Sequence, residues 1–506
     1  MNSPLLARLL QLRAAASSTV GAVVDDEGRR PLGELLDRAA AIAGHLQGQV
    51  GLRPGDRVVL LASPSGAWVE TFFAILLAGG VAVPLSPSYP AAELVWFADD
   101  AAARLVLVSP DLRERAEAMG AGRELLALGE LSPQAHGPAG PSLPTVEADA
   151  AAMLLYTSGT TGRPKGAIIT HQNIATQAEI MGAAWAISPA DLLLHALPLH
   201  HLHGLCISLL NALLAGASAR LLPRFDAPRI WDELATGRVT LWMAVPTMYQ
   251  KLLEALEGAP PEVAARWAQG ARNLRLATSG SAALPVRLAE RWRAITGSIP
   301  LERFGMTEIG VGLTNPLDPA ARRPGWVGRP PRSVELRIVD EGGRVIEVGE
   351  GELQVRGPSL FGGYWRRPEA TAAAFRDGWF LTGDRARRDS DGWVRLLGRT
   401  SVDILKSGGY KLSALEIEEA LREHDGIREV AVVGLPDETW GERVVAAVVP
   451  EPGRDGELTT ESVRAWAKER LAPYKIPRQV VLLPALPKNA LGKVVKPEVI
   501  EALTRR

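Results

Sequence analysis

The sequence predicts an α/β protein: a large N-terminal domain of mostly parallel sheets, a small β-rich subdomain within it, and a small α+β domain at the C-terminal end. Three observations predict it. Helical and strand patterns alternate through most of the chain. Past about residue 330 the texture changes to alternating strands broken by Gly turns, and beyond residue 400 a short unit of helices and strands follows. The expected boundaries are 1–399 for the large domain, with 330–399 as its β-rich part, and 400–506 for the small one.

The elements justify this in order. "RPLGELLDRAAAIAGHL" repeats apolar residues at spacings of three and four, the mark of a helix with one buried face. "DRVVLLA" is a short β-branched strand, "WVETFFAILLAGG" a helix closed by glycines, and "VAVPLS" another strand. Residues 137–148, "GPAGPSLPTVEA", form a Pro/Gly-rich connector. "VELRIVDEGGRVIEVGEGELQVRG" reads as strands and Gly turns. The last unit has a helix in "SALEIEEALREH", a strand over Ile427 to Pro436, a strand in "RVVAAVVP" and a helix in "TTESVRAWAKERL". No internal repeat or low-complexity tail occurs.

Composition excludes several classes of function. With 506 residues the chain can bury a large core, and 56 basic against 57 acidic residues leave a net charge of −1. Such a balance gives no global field for nucleic acid or an anionic membrane, so any anion must be held locally. The single cysteine, Cys206, lies in an apolar run and reads as a small buried hydrophobe in a reducing, cytoplasmic setting. The start, "MNSPLLARLLQLRAAASS", lacks a long apolar segment before a cleavage-like site and reads as part of the fold. "LLLHALPLHHLHGLCISLLNALLAGASA" imitates a membrane span, yet His195, His200, His201, His203, Pro198 and Asn211 would be costly in lipid. A buried strand, loop and helix is the expected outcome. The four histidines have no cysteine or acid cluster beside them and do not read as a metal site.

The strongest chemical signal is "LLYTSGTTGRPKGAIITHQN", residues 154–173. Apolar residues lead into hydroxyls and glycines, then one lysine, then a helix-like segment. Gly159 and Gly162 let backbone N–H groups approach a polyphosphate, the hydroxyls of Thr157, Ser158, Thr160 and Thr161 add donors, and Lys165 adds a mobile charge. The spacing is not that of a P-loop.

"YTSGTTGRPKG" resembles the signature loop of the adenylate-forming superfamily, which includes acyl-CoA synthetases, peptide-synthetase adenylation domains and firefly luciferase. "LPLHHLHG", "AVPTMY", "SGSAALP", "ERFGMTE", "GWFLTGD", "LGRTSVDILKSGGYKL" and "PKNALGK" follow in the order that family requires, so the resemblance covers nearly the whole chain. It implies a reaction in two steps. A carboxylate attacks the α-phosphate of ATP to give an acyl-adenylate and pyrophosphate, and the thiol of coenzyme A then displaces AMP.

The roles below are those the resemblance implies at matching positions. Glu308 holds Mg²⁺ on the triphosphate, and Thr307 hydrogen-bonds the α-phosphate. Phe304, followed by Gly305, stacks on adenine, with Ser279, Gly280 and Ser281 as the opposite wall. Asp384 takes the ribose hydroxyls and Arg399 reaches the same ribose and the phosphate. Lys493 bridges the incoming carboxylate and the α-phosphate. The C-terminal domain is mobile, turning between half-reactions about a hinge within Thr400 to Asp403; Ser401 stands where the family often has Asp or Lys. Gly408 and Gly409 would line the pantetheine tunnel, and Lys406 would assist the second step.

The acid is expected from Arg303. A fatty-acid tunnel or a flat aryl slot has no use for a guanidinium, whereas a second carboxylate would satisfy it, since an unpaired buried cation costs several kcal/mol. Strand alternation turns Arg303 away from Phe304, towards an acyl pocket that His201 and His203 would shape. "SGSAALP", "ERFGMTEIG" and "PDETWGERV" resemble malonyl-CoA synthetases, which generally carry Tyr where Phe304 stands. The expected substrate is malonate, with methylmalonate beside it. If Arg303 instead pairs with Glu302 or a helix acid, a ligase for short, medium-chain or aryl monocarboxylates stays open, as does an adenylation enzyme loading a carrier protein.

Overall fold

A computed structural model describes residues 3–15, 20–131, 144–157, 164–400, 402–407, 410–437, 440–471, 473–489 and 492–505. Ser158, Gly159, Thr160, Thr161, Gly162, Ser401, Gly408 and Gly409 lie outside the described residues.

Two sheets carry the large domain. The first runs, edge to edge, through Glu124–Ala127, Leu105–Val108, Arg57–Leu61, Val81–Pro84, Ala151–Thr157 and Lys165–Thr170. All its pairings are parallel except the last, which is an antiparallel hairpin. The second has eight strands, and its middle, from Leu301–Met306 through Leu276–Ser279, Leu241–Ala244, Leu192–His195 and Ser218–Leu221 to Ala22–Asp25, is wholly parallel. Strands such as Leu105–Val108 and Leu241–Ala244 are buried at every position, which is why they read as continuous apolar runs.

The helix Gly66–Leu77 is buried nearly all round, as an apolar helix without a polar face must be. Ser65 caps it by accepting the Trp68 N–H at 3.2 Å, and its one acid, Glu70, pairs with Arg38 at 2.9 Å. The chain start is a helix, Pro4–Ala14, whose Leu5, Leu6, Leu9 and Leu12 enter the same core. No helix among the described residues is long and apolar enough to cross a membrane.

Two local readings are corrected. The segment after Lys165 is not helical at once: Lys165–Thr170 is a strand, because the β-branched "IIT" pairs with Ala151–Thr157, and the helix begins at His171, capped by Thr170. The histidine-rich run gives a buried strand and helix as expected, but the helix over His203–Leu210 is wound as a π-helix. Such widened turns tend to occur at functional sites.

The β-rich part is an antiparallel sheet of Glu335–Val339, Val345–Ile346, Gly349–Arg356, Phe375–Arg376, Trp379–Arg388 and Val394–Arg399. Its inward residues, Ile338, Leu353, Val355 and Phe380, join the core of the large domain. The C-terminal sheet is centred on the long hairpin Ile427–Asp437 and Gly441–Pro450. Helices Ala414–Arg422 and Thr460–Lys468 cover one face and Lys496–Thr504 the other, giving two separate apolar clusters.

Candidate active site

Parallel strands leave their C-terminal ends open, and ligands of such sheets bind beyond those ends. Here the ends of Leu192–His195, Leu241–Ala244, Leu276–Ser279 and Leu301–Met306, together with the hairpin Ala151–Thr157/Lys165–Thr170, line a cavity of about 1160 Å³. Its roof comes from Asp384, Arg399 and the C-terminal residues Lys493 and Lys496. Residues predicted from seven separate motifs therefore meet in one place.

On the phosphate side, Thr157 and Lys165 face each other across the hairpin, the Thr157 hydroxyl donating to Lys165 O at 3.4 Å. The strand Leu301–Met306 ends in the turn that carries Thr307 and Glu308 and returns through Gly310–Thr314. Gly305 is packed against Gly310, and Phe304 is mostly buried and lines the cavity. Glu308 is only 6% exposed, accepts the Tyr364 hydroxyl at 2.7 Å on Oε1, and lines the cavity. No cluster of three metal-binding side chains exists among the described residues. One hard carboxylate beside a hydroxyl is what Mg²⁺ needs when most of its other oxygens come from phosphates and water, so this donor set fits a nucleotide-borne ion.

On the roof, Asp384 and Arg399 oppose each other in neighbouring strands, with Arg399 Nε 3.3 Å from Asp384 Oδ1. Burial raises the Asp384 carboxyl, while Arg399 and Lys493 act against that rise. Lys493 is held by a tight loop in which its N–H donates to Asn489 Oδ1 at 3.0 Å and Asn489 N–H donates to Lys493 O at 2.9 Å. Gly492 presses this loop against the large domain: at φ +75° it adopts a conformation suited to glycine, and a Cβ would lie 2.8 Å from Thr247 Oγ1. Although Lys493 is exposed, desolvation beside the cavity wall, then the nearby Arg399, lowers its ammonium from the ordinary value. Behind it, Lys496 bridges Asp403 at 2.6 Å and Glu418 at 2.8 Å, and Asp403 Oδ2 also accepts the Arg399 N–H at 3.0 Å. Both ends of the expected hinge are tied by this one acid.

At the far end of the cavity sits Arg303. It is 5% exposed, its Nε and one Nη find no partner, and no carboxylate pairs with it among the described residues. The expected alternative, a pair with Glu302, does not form: the Glu302 side chain points elsewhere and accepts the Gly325 N–H at 2.8 Å. Burial lowers the guanidinium to about 10, so it remains a cation at neutral pH. It packs against Gly280, where a Cβ would fall 2.5 Å from Nε, so a side chain there would push the guanidinium out of this position. Ser279, with an unpartnered buried hydroxyl, is in the same strand end, and Ser281, at φ +69°, places its Oγ 3.1 Å from His203 Nδ1.

His201 and His203 both line this end. Burial holds His201 down at about 4 and lowers His203 well below its ordinary value, with the Arg303 charge adding to the second. Both rings are neutral at pH 7, so they offer hydrogen bonds rather than charge. His195, which has no expected role, lies fully buried with Nδ1 3.2 Å from Ser208 Oγ.

Lys406 is not brought to the cavity. It lies exposed in the strand Ile404–Ser407, with its backbone N–H on Glu442. Sequence reasoning also missed Tyr364, Thr247, Asp403 as an anchor, and Lys496. Only Tyr364 had a local signal, the two glycines before it in "FGGYW".

This fold and this convergence of phosphate hairpin, acid turn and C-terminal lysine define a nucleotide-dependent acid-activating enzyme, and the chain belongs to the AMP-binding enzyme family. The family's model matches residues 10–365, and that of the AMP-binding enzyme C-terminal domain matches 416–493. The chain is 43% identical to the mitochondrial malonate–CoA ligase ACSF3 of Mus musculus, over 97% of this chain and 90% of that one. The structure superposes on ATP-bound MatB from Rhodopseudomonas palustris with a TM-score of 0.90 at 35% identity, covering 99% of each chain. Against a malonyl-CoA ligase holding methylmalonyl-CoA and AMP the TM-score is 0.69 at 40% identity, covering 96% of this chain and 100% of that one.

Proposed function

We propose that the protein is an ATP-dependent acid:CoA ligase that forms malonyl-CoA through malonyl-adenylate, releasing AMP and pyrophosphate. The observation that carries the substrate is the unpaired, buried Arg303 guanidinium at the end of the cavity. A charge kept dry without a counter-ion is costly unless the ligand brings one. The distal carboxylate of malonate does so, with a hydrogen bond from neutral His203 beside it.

In the first step one carboxylate oxygen of malonate attacks the α-phosphorus and the bond to pyrophosphate breaks. Lys493, which lines the same cavity as Asp384 and Arg399 and feels their charges, would meet both the attacking carboxylate and the α-phosphate, the charge-neutralising task that dominates phosphoryl chemistry. Thr307 donates to the α-phosphate, Thr157 and Lys165 hold the polyphosphate, Asp384 and Arg399 take the ribose, and Phe304 stacks on adenine. Glu308 holds Mg²⁺, which when bound neutralises phosphate charge. In the second step the CoA thiolate attacks the acyl carbon and AMP leaves.

The closed position of Lys493 and the better superposition on the ATP-bound relative than on the product complex support reading this structure as the adenylating arrangement. Lys406, exposed here, together with Gly408 and Gly409, is the proposed thioester-side group after the C-terminal domain turns about the Thr400–Asp403 hinge. Detection of malonyl-CoA by mass spectrometry, with ATP, Mg²⁺, malonate and free CoA, tests this. If the thioester forms only on an added phosphopantetheinyl carrier protein, a carrier-loading enzyme is the correct reading.

A further inference from the structure

Tyr364 takes no part in the roles above, yet it joins two of them. Its loop is tied to the phosphate hairpin through an isolated antiparallel bridge between Tyr364 and Ala167: Ile168 N–H donates to Gly363 O at 2.9 Å, Gly362 N–H to Ile168 O at 2.8 Å, and Trp365 N–H to Gly166 O at 2.7 Å. Tyr364 N–H donates to Thr371 Oγ1 at 2.8 Å, and its ring packs edge-on to Phe361 with centroids 4.8 Å apart. The side chain is thereby fixed, with its hydroxyl donating to Glu308 Oε1 at 2.7 Å and the Lys165 ammonium 5.1 Å from its ring centroid. The same loop holds the other end of Glu308, Phe361 N–H donating to its backbone O at 2.9 Å.

A carboxylate free at both oxygens can rotate and bind an ion in several ways. Mg²⁺ tolerates few of them, because it demands near-octahedral geometry at about 2.0–2.1 Å.

We propose that Tyr364 is a positioning residue that engages one oxygen of Glu308 and leaves the other for the Mg²⁺ carried by ATP, while its ring sets Lys165 against the same polyphosphate. This rests on Glu308 as the metal-facing acid. Hydrogen bonds of this kind to ligating carboxylates are commonly worth about 10–100-fold in metal affinity.

The test uses the full chain with a non-hydrolysable ATP analogue and Mn²⁺, whose binding is read by electron paramagnetic resonance, alongside the Mg²⁺ dependence of pyrophosphate release. Tyr364→Phe keeps the ring and removes the hydroxyl. The expected result is about a tenfold loss of Mn²⁺ affinity and a matching rise in the Mg²⁺ needed for half-maximal rate. The KM for ATP at saturating Mg²⁺ should change little, and Tyr364→Phe should add nothing in a Glu308→Gln background. Wild-type Mn²⁺ affinity in Tyr364→Phe, even with a lowered melting temperature, or fully additive losses in the double variant, would overturn the proposal and leave Tyr364 a structural staple. If Glu308→Gln itself binds Mn²⁺ normally, the assignment of Glu308 fails, and the proposal with it.

Discussion

Glu302 and Arg303 are consecutive in one strand, an acid beside a base, and do not pair. Strand alternation sends them to opposite sides, Glu302 to the Gly325 N–H and Arg303 onto Gly280. Both are 5% exposed, and burial moves each towards its neutral form, the acid up to about 8 and the guanidinium down to about 10. The acid turns away to a backbone N–H and keeps its proton at neutral pH, so it cannot neutralise its neighbour, which leaves the Arg303 cation for a ligand.

Glu302 makes stability depend on pH. Its folded value of about 8 lies above an unfolded value near 4.5, so the folded state holds the proton more tightly. The associated stability is fully present below pH 4.5 and is lost as pH rises towards 8. Glu302→Gln should therefore melt higher than the parent at pH 8 and show no such gain at pH 5, measured by thermal unfolding across that range. An equal shift at both values would mean that the carboxyl is ionised without penalty.

Arg303→Met should lower kcat/KM for malonate about 30-fold or more, the usual cost of removing one member of a buried charge pair. Binding of ATP should persist, read by calorimetry. The melting temperature should hold or rise, since an unpaired buried cation has been replaced by an apolar chain of similar length. A fall in stability with malonate turnover intact would make the arginine structural.

Lys493→Ala should stop formation of the adenylate but leave thioester formation from supplied malonyl-adenylate largely intact. In the parent, adenylation should decline on the alkaline side with a midpoint below the ordinary lysine value of 10.5, because desolvation beside the cavity and Arg399 depress this ammonium and only its charged form serves. Single-turnover pyrophosphate release against pH checks this. An unchanged profile in Lys493→Ala would contradict the assignment.

Lys496→Met leaves Asp403 and Glu418 buried without their shared cation. Breaking a buried pair in this way costs about 3 kcal/mol, which urea unfolding of the C-terminal part should show. Lys496→Arg should recover some of it. A neutral Lys496→Met would mean that the hinge acid is held by the Arg399 N–H alone.

The motif residues were legible because each lies in a short stretch whose chemistry is local: hydroxyls and glycines around Lys165, an acid after Thr307, a lysine after Gly492. The strand Lys165–Thr170 was not, since a short β-branched run before a helix gives no period of its own to separate them. The partners were least legible. Tyr364 meets Glu308 across 56 residues and Arg303 lies on Gly280, contacts set by how two sheets and a loop converge. The absence of a Glu302–Arg303 pair was open in the sequence and was decided by the turn that brings the Gly325 N–H to Glu302.

Pyrophosphate release with ATP, Mg²⁺ and CoA, compared across malonate, acetate, butyrate, octanoate and benzoate, tests the assignment of Arg303 to a second carboxylate most directly. Malonate should be turned over much faster than every monocarboxylate, and that advantage should vanish in Arg303→Met. Equal or faster release with octanoate or benzoate in the parent enzyme would contradict it.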